Sequence, residues 1–197
     1  MSRHLSDPFV KQAQKDGYRS RSAYKLVELN EKDKLIRPGM RIMDLGSAPG
    51  GWSQVAGKIV GAKGRVLATD ILAMEPIKNV DFIQGDFTDE AIVAQLLGWL
   101  GGGRFDLIIS DIAPNITGID SADQASSMYF LELALDTVKQ TLKPGATFVA
   151  KMFQGSGSDD YVKELRKSFE KVVIRKPAAS RAQSREVYIV AKGFKGS

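Results

Sequence analysis

The sequence predicts an α/β fold, in which helices cover a mostly parallel sheet. Short apolar runs typical of buried strands alternate along the chain with segments whose apolar residues recur at helical spacing. Hydrophobic residues make up 43% of the chain and charged residues 26%, a balance that predicts a folded globular protein rather than a disordered one. None of the apolar runs approaches the roughly 18 residues that a membrane-spanning helix needs, so we expect no membrane association.

The strands and helices are predicted in a regular order. The segment 105–110 (FDLIIS) is apolar and β-branched, which is typical of a buried central strand. The run KPG at 143–145 ends the longest helix, because proline cannot continue one. We expect one domain over residues 1–197, with a basic helical N-terminal extension over 1–38 and the core over 39–197. The predicted strands cover 41–45, 65–69, 80–83, 105–110, 147–150, 171–174 and 187–191, and the predicted helices of the core cover 52–60, 91–100, 121–142 and 159–170.

Positive charge is concentrated at the two ends of the chain. Residues 1–41 hold 10 Lys and Arg against 5 Asp and Glu, and residues 163–197 hold 10 against 3. The segment between them holds 8 against 15, so it is acidic although the whole chain carries a net charge of +5. Each Lys or Arg that neutralises a phosphate releases a counterion, which is why basic segments commonly bind polyanions. The segregation favours a nucleic-acid partner over an uninformative excess of surface lysine.

Cysteine is absent, and His4 is the only histidine. These counts exclude disulfides, thiolate catalysis and cysteine-based metal sites, and they leave too few histidines for a catalytic triad or a multi-histidine metal site. Acid–base chemistry must therefore use Lys, Asp, Glu or Tyr, and no metal site is predicted. The start of the chain is polar and lacks the apolar stretch of a secretory signal, so we expect a cytoplasmic location.

A glycine-rich loop, GSAPGG (46–51), follows the first predicted strand and leads into a helix. Such a turn lets the backbone approach a ligand closely. Asp44 lies just before this loop, while Asp70 and Asp86 follow the second and third strands. Ligands of open α/β sheets bind at these strand ends, and a carboxylate after the second strand can accept from both hydroxyls of a ribose. The pattern predicts a nucleoside ligand; the alternative is that these residues only form turns and helix caps.

The position of Asp44 indicates which nucleoside is bound. The loop lacks the GxGxxG spacing of dinucleotide sites, and a carboxylate directly before it repels a pyrophosphate but suits a cationic group. S-adenosylmethionine combines an adenosine with a sulfonium and an amino-acid head group, which fits three carboxylates and a phosphate-free turn. We therefore expect S-adenosylmethionine as the cofactor, and a nucleotide-dependent oxidoreductase is the alternative.

Two more ionisable residues follow the next strands, Asp111 after 105–110 and Lys151 after 147–150. In the common doubly wound order the fourth strand lies beside the first and the fifth beside the fourth, about 4.8 Å apart, so both side chains can reach the cofactor. Burying a lysine at a strand end is costly, which favours a functional role for Lys151 over a surface position. Asp111 could instead cap the segment after it. A long loop over 111–127 is expected to wall the substrate pocket.

Two further candidates cannot be selected from local sequence alone. Lys25 lies in a basic helix, where it could equally contact a phosphate or lie in solvent. Glu186 is the one acid in the basic stretch 180–186, and it could simply pair with Arg181 or Arg185.

Several motifs occur in a characteristic order: RSRSAYKLVELNEKDKLIRPG (19–39), DLGSAPGGWSQ (44–54), GDF (85–87), SDIAPNITG (110–118), VAKMFQG (149–155) and SRAQSREVYIVA (180–191). From about residue 7 onward the chain resembles the FtsJ/RrmJ ribosomal RNA 2′-O-methyltransferases. The resemblance implies a Rossmann-like S-adenosylmethionine-dependent methyltransferase fold, with a seven-stranded sheet whose last strand is antiparallel. It also implies methylation of a uridine 2′-hydroxyl in the 23S ribosomal RNA of the large (50S) subunit.

The resemblance assigns roles to residues as well, since the family's Lys-Asp-Lys-Glu tetrad falls on Lys25, Asp111, Lys151 and Glu186. Lys151 is the expected general base, because burial and the charge of Lys25 would both favour loss of its proton; alternatively, it stays protonated and stabilises the developing alkoxide. Asp111 would orient that lysine, and Glu186 would hold Lys25 or the ribose. The expected cofactor-binding residues are Asp44, Gly46, Pro49, Gly50, Gly51, Trp52, Asp70, Ile71, Asp86, Phe87 and Asp111.

The RNA is expected to lie across the basic N-terminal helix and the 175–185 loop. A 2′-hydroxyl acceptor explains a preference for RNA, because DNA lacks that group. A non-catalytic RNA-binding or ribosome-assembly protein is the alternative from another functional class, and we expect the enzyme to be a monomer. The expected phosphate contacts are Arg19, Arg21, Lys34, Arg37, Lys176, Arg181 and Arg185.

Overall fold

The computed structural model describes residues 7–113 and 116–196, and its centre is a seven-stranded sheet with helices on both faces. His4, Pro114 and Asn115 lie outside the described residues. The strands are β1 (Arg41–Leu45), β2 (Arg65–Asp70), β3 (Val80–Gln84), β4 (Phe105–Ser110), β5 (Leu142–Phe153), β6 (Phe169–Arg175) and β7 (Glu186–Phe194). The helices are α1 (Pro8–Asp16), α2 (Ala23–Asp33), α3 (Gly51–Val60), α4 (Glu90–Leu100), α5 (Asp120–Thr141) and α6 (Ser158–Ser168).

The strand order is β3-β2-β1-β4-β5-β7-β6. The strands from β3 to β5 pair in parallel, whereas β7 is antiparallel to both β5 and β6. The predicted seven strands with an antiparallel last strand are confirmed, as is the placement of β4 beside β1 and of β5 beside β4. The carboxyl ends of β1 to β5 therefore meet at one edge of the sheet, where ligands of such folds bind.

The buried strands have the composition that a sheet covered on both faces requires. Leu107, Ile108 and Ile109 of β4 are completely buried, which is why that strand is nearly continuous in apolar residues. The N-terminus of α4 is capped, because the Asp89 carboxylate accepts from the Ala91 backbone N–H at 3.0 Å and satisfies an N–H that the helix leaves free.

The fifth strand is longer than the sequence predicted. It begins at Leu142, directly after α5, and not at residue 147. Leu142 is completely buried and pairs with Phe105, and the pairing with β4 then shifts register before Thr147. An irregularity of this kind accommodates Pro144, which could not donate a ladder hydrogen bond in regular pairing. The predicted end of the helix is correct, but the break leads into a strand rather than a loop.

The second helix of the N-terminal extension shares the hydrophobic core. Leu26 and Leu29 of α2 are buried in the same cluster as Trp52 and Val55 of α3 and Ile42 of β1. This helix is therefore packed against α3 and the sheet. The division at residues 38 and 39 stays a prediction. Over residues 7–113 and 116–196, no helix is both long enough and apolar enough to cross a membrane.

Candidate active site

Four ionisable side chains from distant parts of the chain meet at the carboxyl ends of the central strands. Lys25 Nζ lies 2.6 Å from Glu186 Oε1. Lys151 Nζ lies 3.4 Å from Asp111 Oδ1 and 3.9 Å from Glu186 Oε2. The four side chains are only 9% to 15% exposed. Two lysines and two acids thus form one nearly buried cluster, which we call the tetrad.

The register of the sheet explains how the tetrad forms. Ser110 at the end of β4 pairs with Ala150 of β5, so Asp111 and Lys151 are the next residues on two neighbouring strands. Because β7 is antiparallel to β5, it begins at this same edge, and its first residue is Glu186. The fourth member, Lys25, comes from α2, and this contact between residues 161 positions apart has no local sequence signal.

The simpler interpretations of the tetrad residues do not hold. Lys25 is 9% exposed, so it is not a solvated lysine. Glu186 pairs with lysines and not with the arginines of its own loop. Those arginines approach other acids, with Arg181 at 3.6 Å from Asp7 and Arg185 at 3.8 Å from Asp120.

Burial and neighbouring charges compete at Glu186. Burial alone would raise the pKa of its carboxyl, but the hydrogen bond from Lys25 and the positive charges of Lys151, Lys25 and Lys176 outweigh it. The pKa of Glu186 is therefore lower than usual, and the residue is ionised at neutral pH. Its negative charge holds the two lysines of the tetrad close together.

Tyr188 belongs to the cluster, although the sequence did not single it out. It pairs with Lys151 across the β5–β7 ladder, and its hydroxyl donates a hydrogen bond to Asp111 Oδ1. Burial, followed by the negative charges of Asp111 and Glu186, raises the pKa of Tyr188 well above its usual value, so the hydroxyl stays a donor. The ring lies 5.6 Å from that of Trp52 and 5.9 Å from Lys25 Nζ. Tyr188 thus links the tetrad to the helix that follows the glycine loop.

Two adjoining cavities lie beside the tetrad and share Gly46. The smaller, of about 40 Å³, reaches the tetrad at Asp111. The larger, of about 180 Å³, lies over the ends of β2 and β3. The smaller cavity is lined by Ser22, Asp44, Gly46, Ser47, Ala48, Pro49, Gly51, Trp52 and Asp111. The larger one is lined by Gly46, Thr69, Asp70, Ile71, Gly85, Asp86, Phe87, Ile112 and Phe130.

Most of the expected cofactor-binding residues line these cavities. Ten of the eleven do so, and the remaining one, Gly50, is buried at the start of α3. The sequence did not select Ser22, Ser47, Ala48, Thr69, Gly85, Ile112 and Phe130. Several of these neighbour residues that it did select, whereas Phe130 comes from α5 and reaches the cavity only through tertiary packing, at 5.4 Å from the Phe87 ring.

Asp44 is an acid buried without a cationic partner among its described contacts. It is 1% exposed, and its Oδ2 accepts a hydrogen bond from Ser53 Oγ at 2.7 Å. The pKa of Asp44 is raised to about 7, mainly by burial. The hydrogen bond from Ser53 opposes the rise, and the negative charges of Asp111 and Asp70 add to it. A cationic ligand in the smaller cavity would stabilise the ionised Asp44 carboxylate, because it would supply the missing positive charge.

Asp70 and Asp86 hold the backbone of the cavity walls in place. Asp70 Oδ2 accepts from the Ala48 N–H in the glycine loop, and its Oδ1 accepts from Leu72 N–H, both at 2.9 Å. Asp86 Oδ1 accepts from the backbone and the hydroxyl of Thr88, at 2.9 and 2.6 Å. Each carboxylate retains lone pairs for hydroxyl groups of a ligand.

Gly46 is required where the two cavities meet. Its φ of 70° is in the left-handed region that side chains disfavour. A Cβ atom there would also lie 2.7 Å from Ile112 Cδ1. A side chain at this point would therefore collide with Ile112, which lines the larger cavity.

The expected phosphate contacts fall into two groups. Lys34 and Arg37 are exposed, and the side chains of Arg181 and Arg185 are 55% and 49% exposed. The side chains of the other group make closer contacts within the protein. Its members are Arg19, which donates to three backbone carbonyls, Arg21, which pairs with Asp7 at 2.8 Å, and Lys176, which donates to the carbonyls of Ser184 and Glu186.

The cavities and the tetrad together form a site with two chemically distinct parts. One part offers carboxylates and backbone groups to a cationic nucleoside. The other places two lysines within reach of whatever group the ligand presents at Asp111. Such an arrangement can align an electrophile with a hydroxyl and handle the proton of that hydroxyl.

The chain is similar to proteins of one kind along its whole length. It is 70% identical to "Ribosomal RNA large subunit methyltransferase E" of Stutzerimonas stutzeri, covering 100% of this chain and 95% of that one. It is 63% identical to the protein of the same name from Marinobacter nauticus, covering 99% and 94%. The crystal structure of a ribosomal RNA methyltransferase from Plasmodium falciparum superposes with a TM-score of 0.83 at 32% identity, covering 91% of this chain and all of that one.

The family comparison covers nearly all of the described fold. The FtsJ-like methyltransferase family matches residues 18–194, a span that contains the tetrad and both cavities. The resemblance stated from the motifs is therefore confirmed, and so is the expected methyltransferase fold. This chain belongs to the FtsJ-like methyltransferase family.

Proposed function

We propose that this protein transfers a methyl group from S-adenosylmethionine to the ribose 2′-hydroxyl of a uridine in 23S ribosomal RNA of the large subunit. The observation that carries the proposal is the nearly buried tetrad, which meets the smaller of two adjoining cavities that are lined by Asp44, Asp70, Asp86 and Asp111. Family membership makes a nucleotide-dependent oxidoreductase untenable, and the names of the relatives support ribosomal RNA as the substrate. The proposal includes a monomeric enzyme in the cytoplasm.

The residues present fit S-adenosylmethionine. Asp44, which has no cationic partner among the described residues, suits the positively charged end of the cofactor, and Asp70 suits the ribose hydroxyls. Asp86 suits the adenosine, between the apolar walls formed by Ile71 and Phe87. When bound, the cofactor supplies an electrophilic methyl group, and the protein has only to orient and deprotonate the acceptor.

Of the two lysines in the tetrad, Lys151 is better placed to accept the proton of the acceptor hydroxyl. Lys25 is held tightly by Glu186 at 2.6 Å, whereas the contacts of Lys151 with Asp111 and Glu186 are longer, at 3.4 and 3.9 Å. We infer that Lys151 accepts the proton of the 2′-hydroxyl as the oxygen gains its methyl group. Asp111, fixed by Tyr188, orients Lys151 and stabilises the ammonium that results.

The RNA is proposed to approach along the exposed basic side chains. Lys34, Arg37, Arg181 and Arg185 are exposed enough to contact phosphates, and the 176–185 loop leads directly into Glu186 of the tetrad. A ribose brought in along this loop would enter beside Lys25 and Lys151.

The test is transfer of a radiolabelled methyl group to isolated large subunits and to naked 23S RNA, both from cells that lack the modification. We expect label on ribosomal RNA, and mapping of the product should place it on the 2′-oxygen of one uridine. Label on a base, or no transfer by a protein that binds both S-adenosylmethionine and RNA, would contradict the proposal. The second result would instead support a non-catalytic RNA-binding protein.

A further inference from the structure

The Arg19 guanidinium joins two backbone segments that flank the cofactor cavities. Its Nη1 donates to the carbonyl of Pro49 in the glycine loop at 3.1 Å and to that of Glu75 at 2.7 Å. Its Nη2 donates to the carbonyl of Pro76 at 2.8 Å. Glu75 and Pro76 belong to the connection between β2 and β3. One planar side chain thus ties the loop after β1 to the loop after β2.

The segment that carries Arg19 is itself fixed to α3. The Arg19 backbone N–H donates to Gln54 Oε1 at 2.8 Å, and Gln54 Nε2 donates back to the Gly17 carbonyl at 3.0 Å. Trp52 Nε1 donates to the Ser22 carbonyl at 2.8 Å. The backbone on both sides of Arg19 is therefore held against the helix that begins at the glycine loop.

Gly50 shows how closely these parts fit. Its φ is 123°, and a Cβ atom there would lie 2.6 Å from Ile77 Cδ1, 3.2 Å from Met74 Sδ and 3.3 Å from Arg19 Nη1. Arg19 and the segment 74–77 pack against the outer side of the glycine loop. The inner side of the same loop lines the smaller cavity.

We propose that Arg19 is a positioning residue for S-adenosylmethionine, which holds the glycine loop in its binding conformation, and that it is not a contact for RNA phosphate. The inference rests on the proposed use of that cofactor. A guanidinium can donate in several directions within one plane and so reach both segments, whereas a lysine ammonium on a flexible stem cannot hold them in one geometry. A loop that is already ordered loses less entropy when the ligand binds.

The test compares Arg19→Lys, which keeps the charge, with wild type and with Arg181→Gln in the β6–β7 loop. Calorimetry measures S-adenosylmethionine binding, and RNA binding is measured as a function of salt concentration. In Arg19→Lys we expect cofactor binding about tenfold weaker, the size of one charge-assisted hydrogen bond, with RNA affinity and its salt dependence unchanged. Arg181→Gln should show the reverse pattern, with weaker RNA binding and unchanged cofactor binding.

Two further measurements separate positioning from general destabilisation. Backbone amides of residues 46–53 should exchange hydrogen faster in cofactor-free Arg19→Lys, while those of β4 should not. The KM for S-adenosylmethionine should rise, with kcat at saturating cofactor within about twofold of wild type. Arg19→Gln serves as the second variant if Arg19→Lys is poorly folded.

The outcomes distinguish this inference from the proposed function. Wild type that does not bind S-adenosylmethionine would overturn the proposed function. Wild type that binds it, with Arg19 variants that bind it equally well, would overturn the role of Arg19 alone. A lower salt dependence of RNA binding in Arg19→Gln, with unchanged cofactor affinity, would assign Arg19 to the RNA instead.

Discussion

The two halves of the site differ in how they affect the pKa of a buried carboxyl group. On the side of β1 to β3, no lysine or arginine is among the described residues that line the two cavities, and the pKa of buried Asp44 is raised to about 7. On the side of β4 to β7, Lys25 and Lys151 surround Glu186, whose pKa is lowered. The first half lacks a cation that a ligand can supply. In the second half Glu186 is paired closely with Lys25, so Lys151 is available to accept a proton.

The largest expected effect comes from removing the proton acceptor of the second half. Lys151→Ala should lower the rate of methyl transfer by about 10²–10⁴-fold, the usual contribution of a general base. Its binding of S-adenosylmethionine should stay close to that of wild type, because Lys151 lines neither of the two cavities. Single-turnover transfer and calorimetry measure the two quantities.

Lys151→Arg separates the two roles considered for this residue. A guanidinium keeps the positive charge but cannot accept a proton near neutral pH. A base role predicts that this variant is as inactive as Lys151→Ala across the pH–rate profile. Substantial residual activity would favour stabilisation of the alkoxide, and wild-type activity in Lys151→Ala would remove the residue from the mechanism.

The next effect concerns the acidic half. Asp44→Asn should weaken S-adenosylmethionine binding by roughly 10- to 100-fold at about pH 8, because a cation then loses a buried countercharge. In wild type the affinity should rise between about pH 6 and about pH 8 as Asp44 ionises, whereas the variant should show little change. Calorimetry over this pH range tests the prediction, with exposed Asp159→Asn as the matched control.

The same substitution has an opposite effect on stability. The folded-state pKa of Asp44, about 7, is above the usual value of 3.8 for this side chain, so the cofactor-free protein loses stability as pH rises through this interval. Asp44→Asn should remove that loss and be more stable than wild type at about pH 8. Urea unfolding without cofactor measures this, and equal pH dependence in both proteins would contradict the assignment.

A smaller effect is expected at the anion that joins the two lysines. Glu186→Gln should lower the transfer rate by about tenfold, since Lys25 then loses the carboxylate that holds it in the tetrad. Because the folded-state pKa of Glu186 is lowered, its stabilisation is present at neutral pH and is lost as pH falls through that value. The difference in unfolding free energy between wild type and Glu186→Gln should therefore shrink in acid, which denaturation at neutral and acidic pH measures.

The smallest effect is expected in the exposed loop between β6 and β7, which precedes Glu186. Replacing both Arg181 and Arg185 by Gln should reduce the slope of log affinity for RNA against log salt by about 1 to 2. Cofactor binding should not change. The matched control replaces Lys163 and Arg166 of α6, which are exposed but lie outside the proposed RNA path. An equal reduction of this slope in both double variants would show that RNA binding depends only on the total charge of the protein.

The two halves also differ in how far sequence alone could predict them. Asp44, Asp70 and Asp86 stand at the ends of consecutive strands, so alternation and strand order place them together. The tetrad depends on longer connections. Asp111 and Lys151 follow neighbouring strands and were accessible to the same argument, but the contact of Lys25 with Glu186 spans 161 residues and came only from the family resemblance.

Other features were beyond the reach of local patterns. Tyr188 looks like an ordinary strand residue until the antiparallel register brings it opposite Lys151. Arg19 looks like one more basic residue in a basic helix, because backbone carbonyls as acceptors have no signature in the sequence. The beginning of β5 was placed too late because Pro144 and Gly145 normally signal a loop, and burial of Leu142 overrides that signal.

The position of β7 between β5 and β6 has a consequence for synthesis on the ribosome. β6 emerges before β7, yet it is hydrogen-bonded to β7 and not to β5, so the edge of β5 stays open until the last strand arrives. The same strand delivers Glu186. A nascent chain can thus form both cavities before β7 is made, but it cannot complete the tetrad until β7 has emerged.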